Sequence, residues 1–267
     1  MVAELISVGT EILLGNILNT NAQYLAKKLA GLGIDCYYQT VVGDNATHIK
    51  NALDVAFSRG DMIILTGGLG PTKDDMTKEM LLSYFGKKPV LDEKALHMIE
   101  DRLRNMGFRE DEITDAHRKQ AMVPDNSLIF YNKNGTAPGC VMENDGKVAI
   151  LLPGPPKEMK PMFEEIAEEY LKGKSDKIFV SMNIKMVDFD HAPVSIVGEG
   201  PVAQKLDKLL DNANPTVATY AKDDGCLIRV TAAAKDHEEA MKLLTPMVEK
   251  CREILKDEYI NYIKEDE

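Results

Sequence analysis

The chain has 267 residues and a formal net charge of −11, from 43 acidic against 32 basic residues. That balance argues against a general nucleic-acid binder and against a protein held on an anionic membrane surface, and no apolar run approaches the length of a membrane span. A hydrophobic content of 44% is enough for one large core or two moderate ones, and small anionic ligands stay open because a metal or local N–H groups override net charge.

Residues 4–8 read as a first strand, and Gly9-Thr10-Glu11 as the turn at its C-terminal end, the edge where open α/β sheets place ligands. Asn19-Thr20-Asn21 offers a helix N-cap, and Ala22, Leu25, Ala26 and Leu29 form the apolar stripe that Gly31 closes. A second strand covers residues 34–42 and ends at Gly43-Asp44-Asn45; Ile49, Leu53, Ala56 and Phe57 mark the next helix. A third strand over 61–65 runs into Thr66-Gly67-Gly68-Leu69-Gly70-Pro71-Thr72-Lys73-Asp74-Asp75-Met76-Thr77.

This stretch is the centre of the chain. Its glycines let the backbone turn tightly and approach a ligand with no Cβ in the way. Met76, Met80, Leu81 and Phe85 then give a helical face, with Gly86 as its stop. The pattern is strand, glycine loop, helix start, which attracts a phosphate or carboxylate to free N–H groups. Asp74 and Asp75 sit where that anion would bind. They are either first-turn complements to the helix dipole, with Thr72 as N-cap, or ligands of a divalent cation that bridges them to phosphate. No Gly-Lys-Ser/Thr follows the glycines, so this is not a Walker A loop, and it lacks the third glycine of the dinucleotide fingerprint. The alternation of strands and helices predicts a parallel sheet covered by helices, with the turns at Thr10/Glu11, Asp44 and 67–75 on one edge.

Two helices are expected next, over 89–107 and over 111–122, with His97 and His117 as packing or surface residues. A strand follows over 127–131, then a turn-rich loop at Asn134-Gly135-Thr136-Ala137-Pro138-Gly139. Residues 139–143 and 148–152 read as a hairpin around Asn144-Asp145-Gly146. Leu152-Pro153-Gly154-Pro155-Pro156-Lys157-Glu158 forms a second strand–loop–helix junction, with Glu158 as a dipole complement or ligand contact. A polar break at 172–176 divides a larger domain, 1–172, from a small α+β domain, 173–267. The smaller one is predicted to hold strands at 178–187, 216–221 and 226–233, helices at 202–210 and 237–255, and a charged tail after Asp257 that frays. Gly198-Glu199-Gly200 only loosely matches a dinucleotide fingerprint and lacks its βαβ setting. The mixed apolar strands of this small domain suggest a homodimer. The first residues carry no signal-peptide pattern. Cys36, Cys140, Cys226 and Cys251 lack CxxC spacing and are expected to be reduced, which points to a cytoplasmic setting.

Residues 7–15, Asn19-Thr20-Asn21, the 66–77 stretch, 134–139, 152–158 and Asn214-Pro215-Thr216-Val217-Ala218-Thr219-Tyr220 together resemble the N-terminal part of the CinA competence/damage-inducible family. The resemblance covers nearly the whole chain. It implies a three-layer, mostly parallel α/β fold of the molybdopterin-binding MoaB/Mog type, followed by a small KH-like α+β domain. It also implies hydrolysis of ADP-ribose at its pyrophosphate with a divalent metal, Mg²⁺ or Co²⁺, aided by K⁺. In that picture the amides from Gly67 through Gly68 to Gly70 hold phosphate oxygens, and Pro71, Thr72, Thr77 and Gly154 are further substrate-binding positions. Asp44, Asp74 and Asp75 hold the metal, with Asp75, Asp44 and Glu11 as the catalytic carboxylates, and Thr10, Asn21, Glu11 and Glu158 reach ribose or base. A pterin-phosphate protein of molybdenum-cofactor assembly and a non-catalytic nucleotide sensor are the alternatives. The further domain of many relatives, which deamidates nicotinamide mononucleotide, has no counterpart in these residues, so that activity is not expected. Where the family often has Gly-Glu-Ser, this chain has Gly198-Glu199-Gly200, which leaves no hydroxyl there.

Overall fold

A computed structural model describes residues 1–266. They fall into two units: Met1–Leu29 with Ile34–Lys174, and Ala30–Gly33 with the chain from Ser175 onward.

The first unit runs β1 (Val2–Val8), α1 (Thr10–Leu13), α2 (Thr20–Gly31), β2 (Asp35–Val42), α3 (Ala46–Arg59), β3 (Met62–Thr66) and α4 (Thr77–Phe85). It continues with β4 (Pro89–Leu91), α5 (Glu93–Asn105), α6 (Asp115–Lys119), β5 (Met122–Pro124), β6 (Leu128–Phe130), β7 (Gly139–Asn144), β8 (Lys147–Leu152), α7 (Pro156–Met162) and α8 (Glu168–Leu171). Six strands form one sheet in the order β2-β1-β3-β8-β7-β6. The first four are mutually parallel, and β7 and β6 continue antiparallel. Every residue of β3 is buried, as expected of a parallel strand covered on both faces. Ile6, Val8, Ile63 and Leu65 pack with Ile49, Leu53 and Ala56 of α3 and Leu81 and Phe85 of α4. The alternate residues Leu5, Met62 and Ile64 are equally buried. The β7–β8 hairpin turns at Asp145 and Gly146, both with positive φ (50° and 75°), which is the primed turn its Asp-Gly pair favours.

Glu4 is a carboxylate inside this sheet, 2% exposed. Arg59 at the end of α3 grips it with two bonds, Nε to Oε2 at 2.9 Å and Nη2 to Oε1 at 2.8 Å, and the Thr40 hydroxyl donates to Oε1. Removing the guanidinium leaves a buried charge unpaired. Arg59→Met is therefore expected to lower the melting temperature, and Glu4→Gln on that background to restore part of the loss. Additive losses in the double variant would show that the two side chains do not act as a pair.

Four expectations for this unit need correction. The 89–107 helix is split: Pro89–Leu91 pairs with Met122–Pro124 as a two-stranded ribbon, and Asp92 caps α5 by accepting from the Ala95 N–H. The 111–122 helix shrinks to a 3-10 turn over Glu110–Glu112 and the five-residue α6, because Met122 and Val123 are taken by the ribbon. The turn at Thr10 and Glu11 is a one-turn helix, α1. Finally, α4 begins at Thr77, so Thr72 is not its N-cap and Asp74 and Asp75 lie ahead of the helix rather than in its first turn.

The second unit runs β9 (Ile178–Met186), α9 (Val194–Val197), α10 (Glu199–Leu210), β10 (Thr216–Lys222), β11 (Gly225–Ala234), α11 (His237–Leu255) and β12 (Ile260–Glu265). Its sheet is antiparallel, in the order β10-β11-β9-β12. Alternate residues such as Ile184, Ile228 and Val230 pack on Val202 and Leu206 of α10 and on Leu244 and Cys251 of α11. The tail expected to fray is instead β12. Ile260 and Ile263 pack at the margin of this core, and their strand pairs with the edge that β9 would otherwise leave open. All four cysteines are free.

Candidate functional site

The C-terminal ends of β1, β3 and β8 open onto one edge of the first sheet. There the loops around 9, 44, 67–75 and 153–158 enclose a cleft of about 400 Å³. Gly9, Glu11, Asp44, Gly67, Gly68, Gly70, Pro71, Asp74, Asp75, Gly154 and Glu158 all line it. The convergence expected from the strand–helix alternation is therefore present.

The glycine loop is built by close approach. Gly67 (φ +99°) and Gly68 (φ +67°) adopt the left-handed region, and a Cβ on Gly67 would lie 2.2 Å from the Val8 carbonyl oxygen. On Gly68 it would lie 2.0 Å from the hydroxyl of Thr77, and on Gly70 2.4 Å from the Asp75 carboxylate. The Thr77 N–H donates to the Gly68 carbonyl at 3.2 Å and ties the loop to the start of α4. The N–H of Gly67 is used by the Leu152 carbonyl at 3.1 Å. Among the described residues no hydrogen bond occupies the N–H groups of Gly68, Leu69 and Gly70. The loop amides left without a partner among the described residues are thus those of 68–70, whereas the N–H of Thr77 at the helix start is taken.

Three of the cleft's carboxylates have hydrogen-bonded support. Asp44 Oδ2 accepts from the Thr10 N–H and hydroxyl, both at 2.9 Å, so Thr10 serves the site by fixing Asp44. Asp75 Oδ2 accepts from the Thr72 N–H at 3.0 Å and from its hydroxyl, an arrangement that closes the 72–75 turn. Glu158 accepts from the Asn132 amide at 2.8 Å and presses on Gly135, where a Cβ would lie 1.9 Å from its Oε2. Thr77 is fully buried beneath Gly68 and lines no part of the cleft. Asn21 lies in an adjoining cavity, where its Nδ2 donates to the Gly154 carbonyl at 2.6 Å.

The donor set is entirely hard oxygen. Among the described residues no three His, Cys, Asp or Glu side chains converge as a ready-made cage. That fits a Mg²⁺-like cation held by one or two carboxylates together with ligand phosphates, and does not fit a cation enclosed by protein alone.

Sequence reasoning missed Gln120 and Lys78. Gln120 lines the cleft, and its Nε2 donates to the Leu69 carbonyl at 3.0 Å, bracing the glycine loop from outside. Lys78, on the first turn of α4 and 8% exposed, donates to the Gln120 carbonyl at 2.9 Å. Both are polar residues in ordinary-looking surroundings, and only tertiary burial distinguishes them. Burial holds the Lys78 ammonium below the ordinary lysine pKa of 10.5. The unfolded chain then binds this proton more tightly than the folded one. The charge costs stability below the depressed folded value, and the cost falls as pH rises from there toward 10.5. Lys78→Met removes it, so the melting temperature of the variant minus that of wild type should fall as pH is raised through that window toward 10.5. A flat difference would show that burial does not strain this ammonium.

Comparisons with known proteins agree with this architecture. A family model described as "Probable molybdopterin binding domain" matches residues 4–173, and one described as the KH domain of damage-inducible protein CinA matches 195–260. A "Putative competence-damage inducible protein" of Clostridium beijerinckii is 50% identical over 258 residues, covering 96% of this chain and 60% of that protein. A CinA-like protein of Kosmotoga olearia is 46% identical over 267 residues, covering 100% of this chain and 62% of its own. The chain thus spans about 60% of the length of these curated relatives. The crystal structure of CinA from Thermoplasma acidophilum, described there as of unknown function, matches with 37% identity and a TM-score of 0.56, over 63% of this chain and 96% of that one. With a match to the probable molybdopterin binding domain followed by one to the CinA KH domain, the chain belongs to the CinA family of competence/damage-inducible proteins.

Proposed function

We propose that the cleft binds the pyrophosphate of a nucleoside diphosphate sugar and hydrolyses it, cleaving ADP-ribose to AMP and ribose 5-phosphate. The observation that carries this reading is the set of three unpaired loop amides, Gly68 to Gly70, on a cleft that also presents five carboxylates. Amides alone would suit any anion. Carboxylates alone would repel one. Together they suit a polyphosphate that arrives with a hard cation. The same family's link to molybdopterin makes a pterin phosphate the competing ligand.

In this reaction a water oxygen forms a bond to one phosphorus, the bridging P–O bond breaks, and the bridge oxygen leaves on the other phosphate. Asp75 and Asp44 would hold the divalent cation together with the ligand's phosphates, and Asp74 lines the same cleft. When bound, that ion neutralises charge that builds on the phosphate oxygens and eases deprotonation of water. The amides of 68–70 orient the non-bridging oxygens. Thr10 and Thr72 keep Asp44 and Asp75 turned toward the cleft. Glu11, whose carboxylate folds back over Gly9, is the candidate base for the attacking water. K⁺ would serve as an accessory cation, and the assembly we expect is a homodimer in the cytoplasm.

The test is a panel: ADP-ribose, other nucleoside diphosphate sugars and a pterin phosphate, each with Mg²⁺, with Co²⁺ and after chelation. AMP release that stops on chelation and returns with metal is the expected result. Tight pterin-phosphate binding with no turnover of any diphosphate would replace this reading with the cofactor-assembly one.

A further inference from the structure

Gln120 is held beside the glycine loop at a cost. It follows the last turn of α6, is 3% exposed, and its Oε1 is buried without a hydrogen-bond partner among the described residues. Lys78 fixes its main chain by donating to the Gln120 carbonyl at 2.9 Å. An apolar side chain of the same length would avoid the unpaired acceptor, so the carboxamide stands against the packing preference of its surroundings. Such local conflicts are expected where a group serves a site. The group that serves here is Nε2, which donates to the Leu69 carbonyl at 3.0 Å.

A peptide group is planar and trans, so its C=O and N–H point in opposite directions. The Leu69 carbonyl and the Gly70 N–H belong to one such group, and holding the carbonyl on Gln120 turns the Gly70 N–H away from that side chain. The preceding group is pinned separately, because the Thr77 N–H holds the Gly68 carbonyl at 3.2 Å and so sets the Leu69 N–H. Neither the Leu69 nor the Gly70 N–H has a hydrogen-bond partner among the described residues. Gly70 carries no Cβ to resist rotation of its peptide. Without Gln120 the 69–70 group can turn over and offer an acceptor where a donor is needed. We propose that Gln120 is a positioning residue that makes the loop anion-selective: through Nε2 it locks the 69–70 peptide with its N–H, and not its carbonyl, toward the bound phosphate. The inference rests on the phosphate reading of the cleft, and it assigns each of two loop amides to its own support.

The probe is inorganic pyrophosphate with Mg²⁺, and the readout is the ¹H–¹⁵N spectrum of the whole chain. In the wild-type chain the amide signals of Leu69 and Gly70 should both shift as the ligand saturates. Gln120→Met keeps the length of the side chain and removes the donor; Gln120→Leu serves if the longer chain disturbs the fold. The variant should bind pyrophosphate about tenfold more weakly or worse. At saturation its Leu69 signal should still shift and its Gly70 signal should not. A merely structural role would not separate two neighbouring amides in this way. Loss of both responses would therefore overturn the positioning role. So would survival of both, which with weakened binding would make Gln120 a direct contact of the anion. The phosphate reading fails separately. If pyrophosphate shifts neither amide in the wild-type chain, that reading falls and the inference falls with it. If the amides respond as expected and ADP-ribose is not cleaved, only the hydrolase falls.

Discussion

Asp75→Asn should fold as wild type does and lose metal-dependent hydrolysis by about 100-fold. The fold survives because the carboxamide oxygen still accepts from the Thr72 N–H and hydroxyl, the two bonds that close the turn. Its melting temperature should stay within about 2 °C of wild type, as for a surface substitution that keeps its bonds. Hydrolysis fails because the cation loses an anionic ligand beside the phosphates. Asp44→Asn should behave alike, since Thr10 can still donate to its remaining oxygen. Measuring melting and AMP release on the same preparations separates the roles. If both variants turned over normally, the cation would have to lie elsewhere, and the fold would be untouched.

Gly68→Ala should cost both stability and ligand binding. Its φ of +67° is unfavourable for any residue with a Cβ, and the new methyl would lie 2.0 Å from the Thr77 hydroxyl. Thr77 cannot yield easily: it is fully buried, and its N–H is tied to the Gly68 carbonyl. The expected destabilisation is about 1–3 kcal/mol. Loss of pyrophosphate affinity should exceed it in effect, because relief of the clash moves the three free amides. Adding Thr77→Ala removes the hydroxyl, leaves the backbone strain, and should return part of the stability. If Gly68→Ala bound pyrophosphate as wild type does, the loop amides would not be the anion site.

The parallel half of the first sheet could be read from the sequence because its signals are local. Runs such as Met62-Ile63-Ile64-Leu65 and stripes such as Ile49, Leu53 and Ala56 carry their own periodicity, and Asp145-Gly146 names its own turn. The meeting of Asp44 with Thr10 followed from placing each at the end of a parallel strand. What could not be read was set by contacts distant in sequence. Pro89–Leu91 looks like a helix entry until Met122–Pro124 pairs with it. The charged tail looks free until β9 offers it an edge. Asp74 and Asp75 fit a first helical turn on pattern alone, but the bonds from Thr72 to Asp75 and from Thr77 to Gly68 start the helix later. Gln120 and Lys78 carry no local signal at all. Their place behind the glycine loop follows from burial against Leu69 and each other.

Single-turnover incubation of ADP-ribose with excess protein in ¹⁸O-labelled water and Mg²⁺ tests the central claim most directly. The reading of the cleft predicts AMP and ribose 5-phosphate in equal amounts, one labelled oxygen per cleavage on one of the two product phosphates, and no cleavage after chelation. Intact ADP-ribose under these conditions, with Mg²⁺ and with Co²⁺ alike, would contradict it.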